Sequence, residues 1–219
     1  MPWLQRSFAF VLLLSAAVGF CGEPTNLSDA KAAVVAYHDS GAYAQDVSDV
    51  ADEVVAWLEA RVARRVEGER LAVVFDIDET VLSNYGQMAS LDFGYTAESW
   101  RAWVLRAEAP VIQPMKRVYD MARRLDVAVV FVTGRDDPEE REATVRNLAC
   151  HGMSDHERLV MASPGERHVA TAIRKAAARA ALERDGYTII ANVGDQESDL
   201  AGGHAERTFK VPNPFYRIP

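Results

Sequence analysis

Four short apolar runs, Leu71 to Ile77, Val127 to Val132, Leu159 to Ala162 and Tyr187 to Val193, alternate with stretches of helical periodicity. Each run has the length of a strand and no regular polar face, so both of its sides must be buried. Between them, Met115 to Leu125, Pro138 to His151 and Glu166 to Arg184 carry apolar residues at three- and four-residue spacings. Strands joined through helices pair in parallel, and the helices cover both faces of the sheet. The predicted fold class is therefore α/β, a Rossmann-like parallel sheet with helices on both faces. Ligands of such sheets bind beyond the carboxyl ends of the strands, near the point where strand order reverses. The residues just after each strand are the ones to read for chemistry.

The rest of the chain arranges itself around that sheet. Residues 20–70 form a helical N-terminal region and residues 71–219 the core. Within the core, residues 83–114 lack a strand pattern but hold Tyr85, Phe93, Tyr95, Trp100 and Trp103, which suggests a cap-like insert above the site edge. From Asn26 to Arg65 the spacing predicts two packed helices, with Ser28 as the N-cap of the first. The basic stretch Arg61-Val-Ala-Arg-Arg65 reads as solvated charge at a helix C-terminus, aligned with the dipole. Residues 1–19 have the features of an export signal: one charge, Arg6, an apolar run from Phe8 to Val18, and the small-x-small triplet Ala17-Val18-Gly19. That run is too short to span a bilayer, so no transmembrane segment is expected there. A lipobox ending at Cys21 would add a lipid anchor. Phe20 stands where a small residue is usual, so soluble export to a periplasm or the exterior is the favoured reading. With 24 Lys+Arg against 32 Asp+Glu the formal charge is −8, which disfavours a nucleic-acid polymer as partner.

The first strand empties into Asp76-Ile-Asp78-Glu-Thr80. Packed carboxylates repel one another and lose solvation, so something cationic must compensate. Asp76 and Asp78, one residue apart, leave an extended strand on the same side, where both could face one ion. Oxygen ligands without His or Cys suit a hard cation such as Mg²⁺. An isolated D-x-D is a weak signal, more often a solvated turn. Here the fourth strand also runs into acid, at Gly194-Asp195-Gln-Glu-Ser-Asp199. The second exits at Thr133-Gly134-Arg135, a hydroxyl and backbone amides suited to an oxyanion. Lys175, on the helix before the fourth strand, supplies a cation.

These residues resemble the four motifs of the haloacid dehalogenase superfamily: Asp76-x-Asp78-x-Thr80, Thr133, Lys175 and Gly194-Asp195-x-x-x-Asp199, in the same order. Within it the chain is similar to acid phosphatases of the plant vegetative storage protein type and to bacterial class B and class C acid phosphatases. Supporting strings are Phe75-Asp-Ile-Asp-Glu-Thr-Val-Leu-Ser-Asn84, Glu108-Ala-Pro110 and Arg207-Thr-Phe-Lys-Val-Pro-Asn-Pro-Phe-Tyr216. The resemblance implies a Mg²⁺-dependent acid phosphatase acting on small phosphomonoesters. Asp76 would be the nucleophile. Asp76, the backbone carbonyl of Asp78 and Asp195 would hold the metal, and the Asp78 side chain would serve as acid and base. Thr133, Gly134 and Lys175 would bind the phosphoryl group, Thr80 would brace Asp78, and Asp199 would orient Lys175 rather than bind the ion. A storage or binding protein on the same scaffold, or a phosphotransferase to alcohols or nucleosides, are the alternatives. Homo-oligomerisation is left open. Signatures of other hydrolases, such as G-x-S-x-G, a P-loop or H-x-x-x-H, are absent from the sequence.

Overall fold

The structure, a computed structural model, describes residues 23–166 and 168–218. The expectations for residues 1–19 and for Cys21 lie outside them. The chain opens with two antiparallel-connected helices, α1 (Leu27–Asp39) and α2 (Ala42–Val62). Gly41 takes a left-handed conformation, φ 85°, to make the turn between them. The N-cap of α1 is Asn26 and not the predicted Ser28: Asn26 is still extended, and its side chain accepts the N–H of Ser28 at 2.9 Å. Ser28 already lies inside the first turn.

The sheet follows as β1 (Arg70–Phe75), β2 (Ala128–Asp136), β3 (Arg158–Ala162), β4 (Tyr187–Gly194) and β5 (Thr208–Lys210). All pairings are parallel, in the order β3-β2-β1-β4-β5. The first three strands therefore build outward on one side of β1, and the chain then crosses to the other side for β4. The reversal falls between β1 and β4, so their carboxyl ends frame the expected binding crevice. The short strand β5 was not expected from the sequence. It is three residues long, with Phe209 alone buried, and so carries no periodic signal.

Period-two alternation distributes β1 between two cores. Leu71, Val73 and Phe75 pack with Val54 and Leu58 of α2 and with Met115, Val118 and Tyr119 of α5 (Gln113–Arg124). Ala72 and Val74 pack on the opposite face with Val130, Val132 and Leu182, the last from α7 (Thr171–Arg184). A helix over β2 and β3, α6 (Arg141–Cys150), adds Leu148 to the first core. The β1–β4 register slips between Ala72 and Val73, leaving Ile190 without a partner in the ladder. The indole Nε1 of Trp57, on α2, donates to the Ile190 carbonyl at 2.8 Å and satisfies it.

In the basic stretch at the end of α2, Arg64 is exposed as the sequence suggested, but Arg61 and Arg65 are not simply solvated. Arg61 is 12% exposed in its side chain and joins Glu69 to Glu206, while Arg65 donates to the carbonyls of Leu125 and Asp126. These guanidiniums stitch the helical pair to the sheet. Between β1 and α5, the insert forms two helices, α3 (Tyr85–Ser90) and α4 (Ala97–Arg106). It leans on α1: His38 stacks on Tyr85 with ring centroids 3.4 Å apart, and Lys31 pairs with Asp92 at 2.5 Å. The final helix, α8 (Glu197–Leu200), is a single turn after β4.

Candidate functional site

At the carboxyl end of β1, Asp76 is locked to β4 through its N–H, which donates to the Val193 carbonyl at 2.9 Å. Its side chain is buried and accepts from Lys175 Nζ at 2.5 Å. The same ammonium donates to Asp199 Oδ1 at 2.6 Å. Lys175 thus bridges two carboxylates that are 123 positions apart in sequence (199 − 76). Asp199 Oδ2 in turn accepts the N–H of Gln196 at 2.8 Å, so both of its oxygens are engaged. Gly194 makes this close approach feasible: a Cβ there would lie 2.6 Å from Asp199 Oδ2. The Asp199 carbonyl is held by Arg179 and Asn192, at 2.6 and 2.9 Å.

Asp195 completes the cluster. Its Oδ2 accepts from Gln196 Nε2 and from Asn213 Nδ2, each at 2.6 Å, and its Oδ1 from the Thr80 hydroxyl at 3.3 Å. Burial, followed by the nearby Asp199 charge, pushes Asp195 up to about 7, against the pull of Asn213 and Gln196. Asp76 is raised well above the usual carboxylate range by burial, with Lys175 opposing and Asp199 and Asp195 reinforcing. Burial works against the Lys175 charge, but Asp76 and Asp199 outweigh it and hold the ammonium above its ordinary value. One oxygen from each of Asp76, Asp195 and Asp199 lies within 4.8 Å of the others. The Lys175 ammonium contacts two of these three buried carboxylates, leaving negative charge that a cation would balance. The donors are all oxygen, which suits a hard divalent ion.

The Asp78 side chain is engaged outside this cluster. Arg135 takes it in a fork, with Nη2 at 2.7 Å from Oδ1 and Nε at 3.1 Å from Oδ2. Asn84 Nδ2 donates to Oδ1 at 3.0 Å. The Arg135 guanidinium is buried, which disfavours its charge, but Asp78 overrides this and raises its pKa. The cause is the turn after β1. Glu79 adopts φ 56°, which swings the chain round so that Thr80 reaches Asp195 instead of bracing Asp78 as predicted. Asp78 is braced by Arg135 and Asn84.

The sequence model of the HAD superfamily, subfamily IIIB (acid phosphatase), matches residues 22–219. The chain belongs to this family. It is 36% identical over 151 residues to the stem 28 kDa glycoprotein of Glycine max, covering 66% of this chain and 59% of that one. It is 30% identical over 180 residues to acid phosphatase 1 of Solanum lycopersicum, covering 80% of this chain and 69% of that one. The class C acid phosphatase of Bacillus anthracis superposes with a TM-score of 0.70 at 21% identity, over 87% of this chain and 86% of that structure. The last comparison places this subfamily IIIB chain in the same fold.

In this acid phosphatase family member the cluster forms the floor of a cavity of about 460 Å³, a size that takes a small organic ligand. Asp76, Asp78, Lys175, Asp195 and Asp199 line it, as does Gly134. Thr133 does not. It is buried, its Oγ1 accepts the Arg135 N–H at 3.1 Å, and it lines a smaller cavity of about 220 Å³ behind Lys175. The insert supplies a wall of Met88, Leu91, Phe93 and Trp100, and residues after β5 supply Phe215 and Tyr216. Trp100 lines the cavity, whereas Trp103 turns inward and donates to Asn84 Oδ1 at 2.7 Å.

Sequence reasoning missed Arg135, Asn84 and Asn213 as site residues. Arg135 was legible in principle, because an arginine after an apolar strand that also faces acid needs a carboxylate partner. Asn84 and Asn213 carry no charge signal, and only the fold brings them to Asp78 and Asp195. Glu79 is fully buried, accepts from Asn84 and Tyr216, and is raised to about 8 by burial. Among the described residues no helix is long and apolar enough to cross a membrane.

Proposed function

We propose that the protein is a Mg²⁺-dependent acid phosphatase that hydrolyses small phosphomonoesters through an aspartyl-phosphate on Asp76. The observation that carries this reading is the separation of two carboxylates from one strand end. Asp76 joins a buried anionic cluster with Lys175, and Asp78 is held apart by Arg135. This separation supports a division of roles in which Asp76 attacks and Asp78 moves protons.

Asp76 forms the new P–O bond with one carboxylate oxygen while the ester P–O bond breaks. The departing alkoxide takes a proton from the Asp78 carboxyl group, which lines the same cavity and is oriented by Arg135 and Asn84. In the second step a water molecule attacks phosphorus and gives its proton to Asp78. The Asp76–phosphorus bond breaks, and inorganic phosphate leaves. Lys175 offsets the charge shared by Asp76 and the phosphoryl oxygens, and the Gly134 amide donates to those oxygens, while Thr133, outside the cavity, holds the Arg135 N–H. Asp199, with both oxygens committed, fixes Lys175. Asp76, Asp195 and the Asp78 carbonyl would hold Mg²⁺, which when bound supplies charge neutralisation for the phosphoryl group. The apolar run within residues 1–19 supports action after export.

A storage role on the same scaffold is the second reading, since vegetative storage protein 1 of Arabidopsis thaliana is 29% identical over 152 residues. A storage protein needs no nucleophile, and Asp76 with its buried Lys175 partner favours the enzyme. Asp76→Asn tests the choice: turnover of p-nitrophenyl phosphate is expected to vanish with the fold retained. Activity surviving that change removes Asp76 as nucleophile. Incubation with an alcohol acceptor, comparing free phosphate with new ester, separates hydrolysis from transfer.

A further inference from the structure

Beyond the phosphoryl site, the cavity carries positive charge that the proposed reaction does not use. The cations on its floor are committed: Lys175 to Asp76 and Asp199, and Arg135 to Asp78. Arg174 and Arg217 also line the cavity. Among the described residues, neither guanidinium makes a hydrogen bond or an ion pair within 4.0 Å. Arg174 acts on Glu166 only through the field, without a hydrogen bond, and Glu166 Oε2 accepts from the Ser163 hydroxyl at 2.8 Å.

The two arginines come from different elements. Arg174 lies one turn after Thr171 on α7, and both residues line the cavity, so that helix face looks inward. Arg217 follows Tyr216 in the segment after β5 and is exposed at the mouth. The same cavity is lined by the apolar side chains of Phe93, Trp100 and Phe215. A molecule filling the cavity therefore meets a carboxylate cluster that needs a cation, apolar side chains, and two guanidiniums without a hydrogen-bonded partner among the described residues. Guanidinium groups recognise carboxylates and phosphates in a fork, and free ones on a binding wall call for such a partner.

We infer that the preferred substrates are phosphomonoesters whose alcohol portion has an apolar body and a second anionic group, a carboxylate or another phosphate, received by Arg174 and Arg217. This specificity rests on the phosphatase reading and adds the substrate class to it.

The test compares 4-carboxyphenyl phosphate with its uncharged isostere, 4-carbamoylphenyl phosphate, in the full-length protein with Mg²⁺. Adenosine 5′-phosphate and adenosine 3′,5′-bisphosphate form a second pair, which tells a carboxylate from a phosphate as the second anion. The ratio of kcat/KM for the charged over the uncharged partner is expected to exceed one by roughly three- to tenfold, the range of a charge-assisted contact near a protein surface. It should fall toward one in Arg174→Gln and in Arg217→Gln. In the unaltered protein it should also shrink as salt rises from low to high ionic strength, a readout that needs no variant to fold. A ratio near one in both pairs, insensitive to salt, overturns the second-anion subsite while turnover of the uncharged ester still upholds the phosphatase. If no ester is turned over by the Mg²⁺-loaded protein, the phosphatase reading falls, and the subsite with it.

Discussion

Replacing Lys175 by Met keeps most of the stem volume and removes the ammonium that separates Asp76 from Asp199. The three side chains are 5%, 7% and 3% exposed, and the two contacts measure 2.5 and 2.6 Å. Breaking a buried ion pair by deleting one partner costs about 3–5 kcal/mol, because the surviving charges stay buried without compensation. Met recovers some packing and spares the desolvation of the ammonium, which points to the lower end, about 3 kcal/mol. Urea unfolding in the presence of a chelator reads this directly. With a slope of about 2 kcal/mol per molar urea, the midpoint should drop by ~1.5 M. Lys31→Met is the matched control. Its pair with Asp92 is just as short, 2.5 Å, but the side chains are 28% and 82% exposed. An exposed pair of this kind is worth at most ~1 kcal/mol, so its midpoint should move by ~0.5 M or less. Equal shifts in the two variants, or a Lys175→Met shift as small as the control, would refute the claim that burial makes this lysine indispensable to the cluster.

Other perturbations reach different parts of the site. Asp78→Asn should lower kcat on alkyl phosphates by roughly 10²–10⁴-fold, and less on p-nitrophenyl phosphate, whose leaving group needs little help from an acid; equal losses would argue against proton transfer by Asp78. Gly194→Ala forces a Cβ into the space of Asp199 and should cost about 1–3 kcal/mol, seen as a lower melting temperature, together with weaker activity. Trp57→Phe leaves the Ile190 carbonyl without its donor and should destabilise by about 1–3 kcal/mol in chemical denaturation. Burial raises Glu140 above the ordinary glutamate range, so its ionisation weakens the fold as pH climbs through that range toward the raised value. Glu140→Gln should flatten that part of the stability–pH curve, measured by urea midpoints across the window. Exhaustive chelation should abolish phosphomonoester turnover, and added Mg²⁺ should restore it.

Signals that repeat along the chain were legible before any coordinates. The four long strands announce themselves because burial on both faces demands continuous apolar runs, and the acidic exits of β1 and β4 stand out against them. The reach of Lys175 to Asp76 and Asp199 follows once those exits are known to lie side by side. What escaped were features set by single tertiary contacts. The strand β5 is too short to show a period. Arg61 looks like any terminal helix charge until Glu206, at the far end of the sequence, arrives beside it. The partition of Asp76 from Asp78 depends on the left-handed turn at Glu79, a backbone choice that the motif spacing alone does not reveal.

Asn84 gives the insert a say in the chemistry. Its amide nitrogen reaches Asp78 and Glu79, while its oxygen receives the indole proton of Trp103, 19 residues along the chain on α4. Asp78 and the roof of the pocket are thus interlocked parts. A shift of α4 that carries Trp103 away from Asn84 removes the anchor of the amide that holds Asp78, so the seating of the roof and the setting of this carboxylate are tied through one side chain.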